Sequence, residues 1–265
     1  MSREGPSPVK SGPVADRHSS KAIFAAMVDP GSHHRILVLH GEPEMGKTYL
    51  VEHFRGLFQD TEIHRIDVDF DKDFDNIEEI FTQSLIVLGR DRLRNFWARK
   101  SGGSAVSLVT GAIQVAWHAE IQATLTPDPE RDRLTLAQAW FEDLMALDKL
   151  LVITIDCFEA ASEEQQRWMR AVFLPAAARC PQVRIVIASA AAPALHRSWS
   201  SAAEVHQLAH IMNASDWLPV LTAMRRKTRF QPADLFLEEI CKACEGRPRQ
   251  IHNAIEGFDI DESLP

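Results

Sequence analysis

The sequence predicts a parallel α/β fold carrying an inserted β-hairpin and a small C-terminal helical domain. Three observations lead there. Arg35-Ile-Leu-Val-Leu-His40, Leu150-Leu-Val-Ile-Thr-Ile155 and Arg184-Ile-Val-Ile-Ala188 are continuous apolar runs of the kind buried on both faces of a sheet. Segments with helical spacing separate them, and such alternation builds parallel sheets. Beyond about residue 213 the pattern is helical only.

In chain order, residues 1 to about 15 are rich in Pro, Ser and Gly without an apolar period, and read as a disordered lead-in. Ala22 to Val28 has helical spacing. The first strand runs from Arg35 to His40, and Thr48 to Phe58 forms the helix after it, with Leu50, Val51, Phe54 and Leu57 inward. Ile63 to Val68 is the second strand, running into the alternating acids Asp67, Asp69, Asp71, Asp73 and Asp75. A calcium loop needs Gly at its sixth position, where Lys72 or Phe74 stands, so a strand end and a polar turn is the better reading. Asn76 to Leu88 is helical in spacing.

Between Arg90 and Glu130 lies the least ordinary stretch. Ile113, Val115, Trp117, Ala119, Ile121, Ala123 and Leu125 alternate with period two, and Val106 to Val109 is positioned to pair with them across Thr110-Gly111. This reads as a β-hairpin inserted over about residues 104–126. Leu134 to Leu147 returns to helical spacing, and the third core strand ends at Asp156. Ser162-Glu-Glu-Gln165 is a capping box opening a helix that Pro175 breaks or kinks. Arg184 to Ala188 is the fourth strand, and Val205 to Ile211 is a candidate fifth. Helices are expected at about Ser215–Arg226, Pro232–Cys244 and Arg247–Phe258. The expected units are therefore the lead-in 1–15, a core over 16–212 and a helical lid over 213–265.

Composition narrows the function. The chain is 45% hydrophobic and 25% charged with net charge -8, which suits a soluble globular protein and argues against a generally basic nucleic-acid coat. No apolar run approaches the roughly 18 residues that span a bilayer, and no signal-peptide core opens the chain, so no membrane and a cytoplasmic location are expected. Cys157, Cys180, Cys241 and Cys244 do not make a disulfide framework. Cys241 and Cys244 form a C-x-x-C without a second ligand pair, and His252 leaves the set one ligand short of a zinc site. Two small residues on one side of a lid helix is the plainer reading.

The chemistry concentrates at Gly41-Glu42-Pro43-Glu44-Met45-Gly46-Lys47-Thr48, a G-x-x-x-x-G-K-[ST] loop between a buried strand and a helix, with Tyr49 following. Gly41 and Gly46 let successive backbone N–H groups turn toward phosphates, Lys47 reaches β- and γ-phosphate oxygens, and Thr48 offers its hydroxyl to Mg²⁺. The opening of the helix adds its positive end. Asp156, at the end of another buried strand, should accept a hydrogen bond from Mg²⁺-bound water. Glu159 is the nearest acid after it and is the candidate to orient the attacking water; Cys157 occupies the position directly after Asp156, so there is no adjacent acidic pair. Ser189, past the fourth strand, is a small polar residue able to touch the γ-phosphate or the water.

Together the loop, the Asp156 strand, the polar residue after the fourth strand and the helical tail resemble an AAA+-type P-loop ATPase. Within that group they look most like the STAND-related ATPases used as signalling switches, including bacterial conflict and defence ATPases. The resemblance spans about residues 13 to 258. It implies that Val14-Ala-Asp-Arg17 is an adenine-contacting lead-in, which brings Arg17 to the nucleotide. Phe173-Leu-Pro175 through Ala188 would lead into a sensor strand, and Gly246-Arg247-Pro248-Arg249 resembles a lid motif. Pro248 would then pack near the nucleotide and Arg249 or Arg247 would point at the phosphates. The Gly-containing hairpin recurs in some bacterial members.

Two departures stand out. The missing acidic pair implies slow hydrolysis, and the region after the fourth strand is Ala-rich where STAND proteins often carry an arginine. Arg179, before the fourth strand, is the candidate arginine finger acting on a neighbouring subunit. The expectation is an enzyme that binds ATP or ADP with Mg²⁺, hydrolyses ATP slowly, self-associates on ATP binding and signals to a separate effector protein. The alternative is an AAA+ ATPase assisting DNA transposition or remodelling, since the lid motif resembles those proteins too. Adenine is preferred over guanine because the chain lacks an Asn-Lys-x-Asp motif.

Overall fold

The computed structural model describes residues 14–57, 63–72, 77–101, 129–228 and 232–261. The lead-in up to residue 13 and the hairpin expected at about 104–126 lie outside the described residues. Five strands form one parallel sheet: β1 (Ile36–His40), β2 (Ile63–Asp69), β3 (Leu150–Asp156), β4 (Val183–Ser189) and β5 (Ala203–Gln207), in the order β2-β3-β4-β1-β5. The three predicted apolar runs are β1, β3 and β4, the middle of the sheet, where both faces are covered.

Strand parity divides the core. Ile36, Val38, Ile66, Val68, Leu151, Ile153, Ile155, Ile185 and Ile187 face one layer. That layer holds α3 (Ile77–Leu88), α4 (Arg94–Lys100), α5 (Pro129–Leu144), α6 (Glu163–Trp168) and α7 (Leu174–Arg179). Leu37, Leu39, Val152, Val186 and Ala188 face the other layer, packed against Phe24 and Met27 of α1 (His18–Val28) and Leu50, Val51 and Phe54 of α2 (Lys47–Gly56).

The predicted capping box at Ser162 and Gln165 is present in full. Pro175 does not end its helix. A π-helical turn, Met169–Phe173, precedes it, and the wider turn absorbs the missing N–H so that α7 continues with Pro175 in its first turn. The fifth strand runs from Ala203 to Gln207, earlier than the candidate span, because it pairs with β1 in register at Ile36↔Ala203 and His40↔Gln207.

The C-terminal part is a second cluster. It comprises α8 (Leu218–Ala223), α9 (Ala233–Ala243), α10 (Pro248–Glu256) and a two-stranded antiparallel ribbon of β6 (Arg226–Lys227) with β7 (Asp259–Ile260). Ile211, Trp217, Leu237, Cys241, Ile251 and Ile255 form its core. Ala15, expected at the end of the disordered lead-in, is buried in that same cluster. Cys241 and Cys244 are free thiols, the first in this core and the second half-buried beside it, and no metal-ligand group occurs among the described residues. No helix among them is long and apolar enough to cross a membrane.

Candidate nucleotide site

The sheet places most of the candidate site side chains along the C-terminal edge of the strands. β1 ends at His40, and Gly41 to Gly46 turn the chain into α2. Gly46 has φ 75°, a left-handed conformation that strains any side chain. Pro248 of the lid packs close by, its Cβ 3.6 Å from where a Cβ on Gly46 would stand, an ordinary contact distance. Met45 is buried beneath the loop. The Lys47 ammonium donates to the carbonyls of Gly41 at 2.7 Å and Glu42 at 2.9 Å, which holds its charge inside the loop.

Thr48, in the first turn of α2, donates its hydroxyl to the carboxylate of Asp156, and the Cys157 N–H donates to Asp156 Oδ1 at 2.9 Å. Asp156 is only 2% exposed. Burial pushes its carboxyl above the ordinary carboxylate range; the two hydrogen bonds oppose that shift, and the neighbouring Asp69 charge adds to it. A hydroxyl and a buried carboxylate side by side form a hard-oxygen pair whose chemistry would suit Mg²⁺, which Thr48 would hold directly and Asp156 through water. Ser189, the last residue of β4, is buried and pairs in register with His40, directly before Gly41.

The structure thus brings Lys47, Thr48, Asp156 and Ser189 to one edge. Glu159 lies near it but exposed, on a single 3-10 turn (Phe158–Ala160), because Cys157 at φ 52° turns the chain sharply after Asp156. Arg179 is not at this edge. It is exposed at the end of α7, ahead of the first residue of β4, and a seven-residue strand separates the two edges by about 20 Å.

A cavity of about 860 Å³ lies between the loop and the lid. Gly46, Lys47, Thr48 and Tyr49 line one part of it; Val14, Ala15, Ile211, Trp217 and Met224 give another part an apolar wall. Arg17 also lines it, but the guanidinium is spent on backbone: it donates to the Met45 carbonyl and to the Ala209 carbonyl, both at 2.8 Å. Tyr49 stands against His252 of the lid helix, with ring centroids 5.6 Å apart.

The lid motif sits where the loop can touch it. Pro248 is buried and Arg249 is exposed on the cavity wall, whereas Arg247 points to Glu42 and Glu245 at 3.9 and 3.7 Å. Gly246 sits at φ 69°, a left-handed conformation, and a Cβ there would fall 3.0 Å from the His210 Cβ and 3.2 Å from the Ile211 carbonyl carbon. Glu42 and Glu44, read from the sequence only as part of the phosphate loop, also contact the lid, through Arg247 and Gln250 respectively.

This geometry, a five-stranded parallel sheet with a phosphate loop after β1 and the acidic strand β3 separated from it by β4, defines a P-loop NTPase core. No protein-family model matches the sequence, and no curated protein sequence matches it. Among solved structures, the chain is similar to a Walker-type ATPase of Pyrococcus abyssi, at 12% identity and TM-score 0.49 over 90% of this chain and 66% of that one. It is also similar to Cdc6p from Pyrobaculum aerophilum, at 11% identity and TM-score 0.46 over 92% and 66%. The RuvB Holliday junction branch migration motor of Thermotoga maritima is a third, at 13% identity and TM-score 0.44 over 91% and 61%. The chain spans a little under two thirds of the length of these structures.

Proposed function

We propose that the chain binds Mg²⁺ with ATP between the phosphate loop and the lid, hydrolyses ATP slowly, and uses the bound nucleotide to switch its conformation and assembly, signalling to a separate effector protein. The observation that carries the reading is the Lys47–Thr48–Asp156 arrangement, with Lys47 and Thr48 lining a cavity whose other wall is the lid. Lys47 supplies a fixed cation for the β- and γ-phosphates, and the loop amides and the start of α2 add aligned donors. The apolar wall of Val14, Ala15, Ile211, Trp217 and Met224 suits a planar adenine, with Pro248 beside the loop. The metal, when bound, supplies charge neutralisation at the phosphates.

Slow turnover follows from Cys157, a residue unable to act as a carboxylate at the position after Asp156. The switch reading is supported by the lid, because its helix α10 touches the loop directly and residues of both line the cavity.

Lys47→Ala removes the main cation facing the phosphates. ATP affinity measured by calorimetry should fall at least about tenfold, or roughly 1.4 kcal/mol. Equal affinity in the variant and the parent would reject the nucleotide assignment.

A further inference from the structure

Asp69 and Asp156 are register partners, the last residues of two neighbouring parallel strands. Ile66 and Val68 point into the layer of α3 and α5, so Asp67 and Asp69 take the opposite face of β2, the face that α2 covers. Asp67 demonstrates this: its Oδ1 accepts from Arg55 of α2 at 3.0 Å and from the Thr154 hydroxyl at 2.7 Å. Thr48, Asp156 and Asp69 therefore share one face, with the two aspartates on strands about 4.8 Å apart.

Asp69 is held in place there. Its Oδ1 accepts from the Asp71 N–H at 3.1 Å, its Oδ2 pairs with Lys72 at 3.2 Å, and the Cys157 thiol donates to it. The side chain remains 20% exposed, enough for water to reach it. The Cys157 thiol serves in this contact as a hydrogen-bond donor. The position after Asp156 thus carries no acceptor of a proton, while a carboxylate from the next strand lies directly against it. Glu159, the other candidate, stands exposed beyond the turn.

We infer that Asp69 is the carboxylate that orients the attacking water, an assignment that rests on the ATPase reading above. The water oxygen bonds to the γ-phosphorus, and the bond from that phosphorus to the β,γ-bridging oxygen breaks. ADP leaves with the electron pair. One water proton stays on the new phosphate, and the other passes through the Asp69 carboxylate to solvent.

The test uses the full chain with Asp69→Asn, Asp69→Glu and Glu159→Gln, measuring Mg²⁺·ATP affinity by calorimetry, the melting temperature and single-turnover hydrolysis. Asp69→Asn should bind ATP within about threefold of the parent and hydrolyse it at least about 100-fold more slowly, the range of a lost general base. Asp69→Glu should recover part of the rate, and it decides the matter if the Asn variant fails to fold. A purely structural Asp69 would instead lower melting temperature and affinity together. The inference is overturned if Asp69→Asn hydrolyses at the parent rate, if Glu159→Gln alone abolishes turnover, or if the parent binds ATP without hydrolysing it. That last result leaves ATP binding standing, whereas no ATP binding by the parent overturns both readings.

Discussion

Gln250 of the lid helix donates its side-chain amide to the Glu44 carboxylate of the phosphate loop at 2.6 Å, and the Arg249 N–H beside it reaches the Glu44 carbonyl at 3.1 Å. The first turn of α10, which favours an anion, is thereby occupied by oxygens of the loop itself. Glu44 adopts φ 71°, a conformation costly for a side-chain-bearing residue, and it does so at the point of contact with the lid.

On the proposed function, this contact between lid and loop is expected to slow nucleotide exchange. Gln250→Ala removes an exposed hydrogen bond to a charged group without touching Lys47, Thr48 or Asp156. Because solvent screens this exposed pair, an ordinary hydrogen-bond value of about 0.5–1.5 kcal/mol applies, and ADP release should accelerate roughly two- to tenfold. Stopped-flow fluorescence with a labelled ADP reads this directly. An unchanged release rate would mean that lid docking does not retain nucleotide.

Arg17 makes a second connection, in this case within the core. Its buried guanidinium joins the Met45 carbonyl to the Ala209 carbonyl, and burial lowers its pKa while the Asp16 charge partly offsets that. The side chain therefore positions the loop from behind. Arg17→Met keeps much of the volume and leaves both carbonyls without their donor, at about 1–3 kcal/mol each when buried. The urea midpoint should fall, and ATP affinity should weaken because the loop is no longer held. A variant with parental stability but weakened ATP binding would instead identify Arg17 as a direct nucleotide ligand.

The strands β1, β3 and β4 were legible because burial on both faces writes a continuous apolar run into the sequence. The loop was legible because phosphate binding demands glycine, lysine and threonine at fixed offsets. Helix α4 was not, since Leu93 at its N-cap makes no side-chain cap; the Asn95 and Phe96 N–H groups are instead satisfied by the carboxylate of Asp143, 48 and 47 positions away. The β6–β7 ribbon has two residues per strand, too few to show a period. The alternating acids that begin at the end of β2 were visible, but their neighbours in space were not. Only sheet register sets Asp69 beside Asp156, and only tertiary packing sets Gln250 on Glu44, 206 positions apart.

Arg179 raises the question of assembly. It ends α7 as an exposed cation at the edge of the sheet opposite the phosphate loop, so within one chain it cannot reach the γ-phosphate. Any role in hydrolysis must be played on a neighbouring subunit. There it would stabilise the negative charge that spreads over the γ-phosphoryl group, an effect worth as much as roughly 10³-fold in rate. It would also make assembly depend on ATP, because the γ-phosphate is what the arginine reads. Arg179→Ala should therefore bind ATP as the parent does, through Lys47, yet stay unassembled in light scattering and lose hydrolysis. Mixing it with Lys47→Ala chains should restore part of the activity, since one kind of mixed interface joins an intact loop to an intact Arg179. A protein that remains monomeric with and without ATP, and whose two variants do not complement, would leave Arg179 as an ordinary cation at the C-terminal end of a helix, where the macrodipole alone accounts for it.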